Sequence, residues 1–173
     1  MQDCHLFALS LKENVLRRPA TGDDSEKVTE ALKNVGLWDK VSTFENGVDT
    51  MITKEFDKSG EVLSGGEAQK LAISTVSTRN SRFVVLDEPS SALDPDSEYA
   101  LNQAIMRCAT EQNKTVIFIS HRLSTTRGAD RIYVFDGGEI VGQGTHEELM
   151  RDDSLYSRMF RVQAEKYQDR TAV

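Results

Sequence analysis

The sequence predicts an α/β domain with a parallel sheet, and two short apolar runs separated by a helical pattern are the main reason. Phe83–Leu86 and Val116–Ile119 have the length and apolar continuity of strands buried in a parallel sheet. Between them, apolar residues recur at helical spacing from Leu101 to Cys108. A strand, a helix and a second strand in this order favour parallel neighbours. Ligand chemistry in such sheets gathers at the carboxyl ends of the strands.

The region before the first strand is predicted to be mostly helical and rich in turns. Asp23–Glu26 offers N-cap candidates, and apolar residues follow at helical spacing from Val28 to Val35. Gly36 is well placed to end that helix. A second helix face runs from Ala68 to Val76.

The C-terminal part predicts a hairpin followed by helices. Arg131–Phe135 and Glu139–Val141 flank the turn sequence Asp136–Gly138. Two helical segments, near 146–150 and 154–166, are expected to close the chain.

Composition limits the class of protein. The chain has 173 residues, 38% hydrophobic and 28% charged, which suits one soluble globular domain. Its formal net charge of -7 argues against nucleic acid as the main partner. Cys4 and Cys108 form no disulfide framework, fit a reducing compartment and are read as small buried hydrophobes. No apolar run approaches the roughly 18 residues of a membrane span, so the chain is expected to be soluble even where it docks on a membrane partner.

Asp87 and Glu88 are adjacent carboxylates directly after the first apolar run. Successive strand residues point to opposite sides, so the two acids should diverge and take different tasks. One can hold magnesium, and its neighbour can accept a proton from an attacking water. The alternative is a solvated turn with two acids before a proline, and the pair alone does not decide between the two interpretations.

His121 follows the second apolar run in the same way. A histidine there can donate a hydrogen bond to a phosphoryl oxygen, and the alternative is a structural histidine. For His5 and His146 the structural interpretation is preferred, because neither has a matching context.

Ser64, Gly65 and Gly66 stand where a helical pattern begins. Glycine lets backbone amides approach an anion, a helix N-terminus favours negative charge, and the serine hydroxyl adds a donor. The alternative is an N-cap with a flexible turn.

Together these pieces are far more specific than each alone. The chain carries "LSGGE" from Leu63, "FVVLDEPSSALD" from Phe83 and "ISHR" from Ile119, in that order. This set resembles the nucleotide-binding domain of ATP-binding cassette (ABC) transporters, over essentially the whole chain and most closely the exporter type. The resemblance implies a partial P-loop NTPase-like cassette. Residues 1–80 would hold the Q-loop, helical subdomain and signature helix, and 81–173 the C-terminal part of the parallel-sheet core.

The resemblance also implies roles for individual residues. Glu88 matches the catalytic base, while His121 and Gln2 match residues that sense the γ-phosphate of ATP. Asp87 and Gln2 match the positions that hold Mg²⁺. The implied contacts to ATP come from the signature motif and the D-loop, at Ser64, Gly65, Gly66, Glu67 and Asp94.

Two departures from the family pattern stand out. No glycine is followed by lysine, so the phosphate loop G-x-x-x-x-G-K-[ST] is absent and the chain begins at the Q-loop. Ile73–Val76 also differs from the Ala-Arg-Ala usual there. In the family, ATP lies between the phosphate loop of one cassette and the signature motif of a second. The implied partners are therefore ATP, a second cassette and transmembrane domains, and the implied location is the cytoplasmic face of a membrane.

Three functional hypotheses follow. The first is the C-terminal part of an ABC exporter ATPase that couples ATP-driven cassette dimerisation to transport, and in that case the isolated chain is expected to be inactive. The second is a non-catalytic binding or dimerisation remnant that offers only the signature face. The third is a chromosome-maintenance ATPase head, disfavoured because sustained heptads for a long coiled coil are missing. The transported substrate does not follow from this sequence.

Overall fold

A computed structural model describes residues 6–22, 24–55 and 58–170, with side chains described up to residue 165. The chain divides into two compact units, the first ending at Ile119 and the second beginning at Ser120. The helices are α1 (Leu11–Leu16), α2 (Asp24–Asn34), α3 (Trp38–Val41), α4 (Gly65–Thr78), α5 (Pro95–Glu111), α6 (Leu123–Thr126), α7 (His146–Arg151) and α8 (Leu155–Arg170). The strands are β1 (Phe83–Asp87), β2 (Thr115–Ile119), β3 (Ile132–Asp136) and β4 (Glu139–Gly144).

Helices α1, α2 and α4 form the centre of the first unit. Their apolar faces meet in a core whose most deeply buried members include Leu11, Val15, Leu32 and Leu71. Cys108 on α5 belongs to the same core, as its apolar setting in the sequence predicts. Cys4 and His5 lie outside the described residues.

Helix α2 ends where the sequence predicts. Gly36 adopts a left-handed φ of 66°, which costs glycine no strain from a side chain. Its N–H donates to the Lys33 carbonyl at 3.0 Å, and the Leu37 N–H donates to the Leu32 carbonyl at 2.9 Å. This is the Schellman pattern, in which two orphan carbonyls of the last turn are satisfied.

Strands β1 and β2 form a parallel pair, as predicted, with Phe83 opposite Thr115 and Asp87 opposite Ile119. Alternate side chains of both strands pack against the core of the first unit. These are Val84, Leu86, Val116 and Phe118.

The other face of this pair is exposed, so the expectation of strands buried on both faces is wrong for the described chain. Phe83 is 71% exposed and Val85 is 61% exposed, and Ile117 and Ile119 on β2 are about half exposed. We call these four side chains the open face. Their apolar character suits a doubly covered parallel strand, but within the described part of the first unit the core lies on the opposite face only.

The second unit contains the predicted hairpin and the two closing helices. Strands β3 and β4 pair antiparallel, with an irregularity between Val134 and Phe135. Tyr156 on α8 is buried, and its hydroxyl lies 2.8 Å from Nδ1 of His146. The ring of His146 also packs on Phe160, in keeping with the structural role predicted for this histidine.

No helix in the described ranges is both long enough and apolar enough to cross a membrane.

The contacts at the start of α2 make the stability of the fold depend on pH. Arg18 makes two bonds of 2.8 and 2.6 Å to the Asp24 carboxylate, which also accepts the Thr21 N–H at 2.8 Å. These donors, Arg18 first, hold the pKa of Asp24 well below its usual range. A depressed folded pKa stabilises the fold above the unfolded value of about 3.9, and this contribution is lost as pH falls below that value.

We therefore expect Asp24→Asn to lower the free energy of unfolding at pH 7 and to flatten its decline below about pH 4. Denaturant unfolding at several pH values measures both effects. Glu45→Gln, which removes an exposed carboxylate of the same unit, is the matched control. A variant at Asp24 with the pH profile of the parent chain would contradict the assignment.

Candidate functional site

Helix α4 begins with a reciprocal cap between Ser64 and Glu67. The Ser64 hydroxyl oxygen accepts the Glu67 N–H at 3.3 Å, and the Glu67 carboxylate accepts the Ser64 N–H at 2.8 Å. The second bond, more than any other contact, lowers the pKa of Glu67, so this side chain is ionised at neutral pH. Lys40 lies 3.9 Å from the same carboxylate. Ser64 is thus an N-cap whose oxygen accepts the Glu67 N–H, and its hydroxyl also helps to lower the pKa of Glu67.

Gly65 and Gly66 occupy the first two positions of α4, where the helical conformation does not require glycine. A Cβ at Gly66 would lie 3.2 Å from Leu93 Cδ2 and 3.4 Å from the Ala92 carbonyl, so close packing explains this glycine. A Cβ at Gly65 would meet only Ala92 Cβ, at an ordinary 3.9 Å. Because glycine in a helix costs up to about 1 kcal/mol relative to alanine, Gly65 is not explained by the contacts of the chain itself.

Asp87 and Glu88 leave the sheet in different conformations. Asp87 is the last residue of β1 and continues its alternation, which places it on the side of the open face. Glu88 turns away with a left-handed φ of 49°, and its N–H donates to the Ile119 carbonyl at 2.8 Å. The two carboxylates therefore start from the same strand end and diverge.

A buried glutamine on α4 holds the turn that follows Glu88. The Gln69 Nε2 donates to the Glu88 carbonyl at 3.2 Å and to the Ser91 hydroxyl at 3.3 Å. Its Oε1 accepts the Ala92 N–H at 3.1 Å. Gln69 is absent from the sequence-predicted site residues. The available signal was its spacing, because it lies four residues before Ile73 on the buried face of α4.

Asp94 is used to start α5. Its carboxylate accepts the Ser97 N–H at 3.0 Å, and Pro95 follows at the first helical position. This N–H bond lowers the pKa of Asp94. The sequence predicted that α5 starts here, and the structure gives the carboxylate a capping bond besides any contact to a ligand.

His121 belongs to the second unit and is exposed there. Its carbonyl accepts the Gln163 Nε2 at 2.6 Å, and Gln163 Oε1 accepts the Leu123 N–H at 2.9 Å. A glutamine of α8 thus holds the turn that carries His121. Gln2, the remaining predicted site residue, lies outside the described residues.

Within the first unit, the structure brings the start of α4 against the segment after Glu88. This contact joins two of the sequence motifs, "LSGGE" and "FVVLDEPSSALD". Comparison with known proteins identifies the class to which such a unit belongs. Residues 1–91, more than half of the chain, match the family model described as ABC transporter, and the chain belongs to that family.

Individual relatives agree with this assignment. The chain is 34% identical over 157 residues to the ATP-dependent lipid A-core flippase of Alcanivorax borkumensis, covering 91% of this chain and 26% of that protein. It is 40% identical over 165 residues to the leukotoxin export ATP-binding protein LtxB of Aggregatibacter actinomycetemcomitans, covering 94% and 22%. The chain therefore spans about a quarter of the length of these curated relatives.

A solved structure confirms the expected fold. A bacterial Atm1-family ABC exporter with ATP bound superposes with a TM-score of 0.76 at 34% identity, covering 92% of this chain and 27% of that chain. The α/β fold is thus that of part of an ABC cassette, as the motifs predicted.

Alanine substitutions at the two glycines of α4 form a matched pair that tests the packing of this helix start. We expect Gly65→Ala to leave the free energy of unfolding unchanged or to raise it by up to about 1 kcal/mol, through helix propensity. Gly66→Ala should be less stable than Gly65→Ala, because its methyl group crowds Leu93. Denaturant unfolding of the 173-residue chain measures the difference. Equal stabilisation by both substitutions would show that the contact between α4 and Leu93 is looser than described.

Proposed function

We propose that this chain is the signature-bearing part of the ATPase cassette of an ABC exporter, in which ATP binding closes two cassettes and hydrolysis reopens them. Family membership supports the general function. The observation that carries the proposal is the close approach of the start of α4 to Ala92 and Leu93, where a Cβ added at Gly66 would lie 3.2 Å from Leu93 Cδ2. It sets an exposed helix N-terminus beside the turn that begins at Glu88.

The start of α4 would bind the γ-phosphate of an ATP held by a second cassette. The first-turn amides of a helix lack intrahelical partners, and the helix dipole favours an anion there. Ser64 would turn its hydroxyl hydrogen from the Glu67 carboxylate to the phosphate, while its oxygen keeps the bond from the Glu67 N–H. Gly65 supports close approach of a ligand, since a Cβ there would meet only Ala92 Cβ, at 3.9 Å.

Glu67 modulates this site electrostatically. Its carboxylate stays ionised, and it lies in the first turn of the helix that would receive the phosphate. Lys40 offsets part of that charge. The proposed role of Glu67 is therefore to hold the Ser64 cap in place, and the phosphate would be bound by the amides and hydroxyl beside it.

The end of β1 would supply the hydrolytic chemistry. An exposed aspartate at a strand end fits Mg²⁺, which binds proteins through one or two carboxylates and takes other ligands from phosphates and water. The ion, held by Asp87 with Gln2, would neutralise charge on the phosphates. Glu88 would accept a proton from the attacking water, and His121 and Gln2 would contact the γ-phosphate.

The open face would be covered by the half of a cassette that carries the phosphate loop. Four large apolar side chains stand on that face, and Asp87 lies at its carboxyl end. A phosphate loop packed there would bring its nucleotide to Asp87. The complete protein would act at the cytoplasmic face of a membrane through transmembrane domains, with residues 1–80 and 81–173 serving as the two cassette portions named above.

The second candidate function is a non-catalytic module that presents only the signature face to a complete cassette. It is favoured by one observation, the absence of G-x-x-x-x-G-K-[ST] from these 173 residues.

We expect the isolated 173-residue chain to release no phosphate from magnesium–ATP above background, because the lysine and backbone cradle for the β- and γ-phosphates are absent from its sequence. A steady-state phosphate assay on the purified chain tests this. The Glu88→Gln chain serves as the control for contaminating ATPases. Turnover that disappears in this variant would show that the chain is catalytic alone.

In a complete cassette containing residues 1–173, Glu88→Gln should preserve ATP binding and slow turnover by about 10²-fold or more, as expected for loss of a general base. The ATP-bound dimer should then accumulate, because closure no longer ends in hydrolysis. Nucleotide affinity, phosphate release and dimer mass measured together test this expectation. Turnover within about 3-fold of the parent would assign the base to another residue.

A further inference from the structure

We propose that Gln69 is a positioning residue for Glu88, and that it links the start of α4 to the catalytic turn. This inference rests on the proposed function, because it concerns the same site. The backbone of Glu88 has a left-handed φ of 49°. For a residue other than glycine this conformation is strained and persists only where surrounding contacts hold it.

Hydrogen bonds hold the backbone of Glu88 from opposite sides. Its N–H donates to the Ile119 carbonyl at 2.8 Å, which extends the pairing of β1 with β2 by one residue. Its carbonyl accepts the Gln69 Nε2 at 3.2 Å. The sheet therefore fixes the N–H side of Glu88. On the carbonyl side, the Gln69 side chain of α4 acts together with the Ser91 N–H, which donates to the same carbonyl at 3.3 Å.

The same carboxamide also holds the far end of the turn. Gln69 Oε1 accepts the Ala92 N–H at 3.1 Å, and Nε2 contacts the Ser91 hydroxyl at 3.3 Å. A carboxamide offers a donor and an acceptor at fixed separation without a charge, so both ends of the segment 88–92 are set by one rigid group. Gln69 is only 5% exposed, which makes the loss of any of these bonds costly.

The position of Gln69 in α4 connects the start of this helix to Glu88. Gln69 lies five residues after Ser64 in a continuous 14-residue helix. A phosphate that binds the N-terminus of α4 therefore contacts the same helix whose Gln69 side chain holds Glu88 in place. The geometry points to Gln69 as the group through which occupation of the signature site affects the orientation of the base.

The test is a double-mutant cycle in a complete cassette containing residues 1–173. Gln69→Met keeps the length of the side chain and removes its donor and acceptor. We expect kcat to fall about 10-fold while KM for ATP stays within about 3-fold, because positioning of the base is lost and binding is not. In the Glu88→Gln background, Gln69→Met should have no further effect on the residual single-turnover rate, since residues that act as a unit are not additive.

Two further variants separate positioning from folding. Gln112→Ala is the control, because the Gln112 Nε2 donates to the Ser77 carbonyl at 3.2 Å and so contacts α4 at its other end. Its kcat should stay within about 2-fold of the parent. Gln69→Glu keeps an acceptor for the Ala92 N–H and loses the donor to Glu88. It should keep slow hydrogen exchange at Ala92 while kcat still falls.

Each outcome decides the inference. If Glu88→Gln leaves turnover intact, the proposed base is wrong and the proposed function fails first. Suppose that Glu88→Gln stops turnover but Gln69→Met leaves kcat unchanged, or slows the parent and the Glu88→Gln variant by the same factor. The role of Gln69 is then only structural, and the inference alone is overturned. Failure of both Gln69 variants to fold, with Gln112→Ala folded, likewise assigns Gln69 to stability.

Discussion

The parallel pairing of β1 with β2 is the constraint on which the rest of the first unit depends. The pairing runs from Phe83 opposite Thr115 to Asp87 opposite Ile119, and the Glu88 N–H extends it by one bond. Parallel neighbours require a long crossover, which α5 provides. The chain must therefore turn sharply after Glu88 and start α5 within a few residues, and the Asp94 cap ends this turn. Placement of the candidate base is a consequence of that geometry.

Local signals predicted much of the fold. The left-handed Gly36 after α2, the Ser64 cap of α4 and the Asp94–Pro95 start of α5 each depend on residues within a few positions of one another. The Phe83–Leu86 and Val116–Ile119 runs also predicted a parallel pair correctly. The open face was not predictable, because a continuous apolar strand does not indicate which layers cover it.

Local sequence signals did not predict the contacts that shape the candidate site. Gln69 reaches residues 19 to 23 positions away, and Gln163 reaches residues about 40 positions away. Both glutamines use each end of the carboxamide to hold the backbone of a turn that carries a predicted catalytic side chain. No periodicity encodes such a pairing, since it joins residues that are 19 to 42 positions apart in the sequence. The sequence signal for such a contact is a polar residue at a helix position whose spacing places it toward the core.

The open face also affects the tendency of this chain to associate with itself in solution. Phe83, Val85, Ile117 and Ile119 present an apolar surface, and within the described ranges β1 and β2 pair only with each other, a combination that templates self-association. The formal net charge of -7 opposes this association by repulsion between molecules. Added sulfate strengthens apolar association and screens that repulsion, whereas urea weakens the association. These four side chains therefore favour association of the chain with itself, and a charged substitution among them should raise its solubility without touching the core.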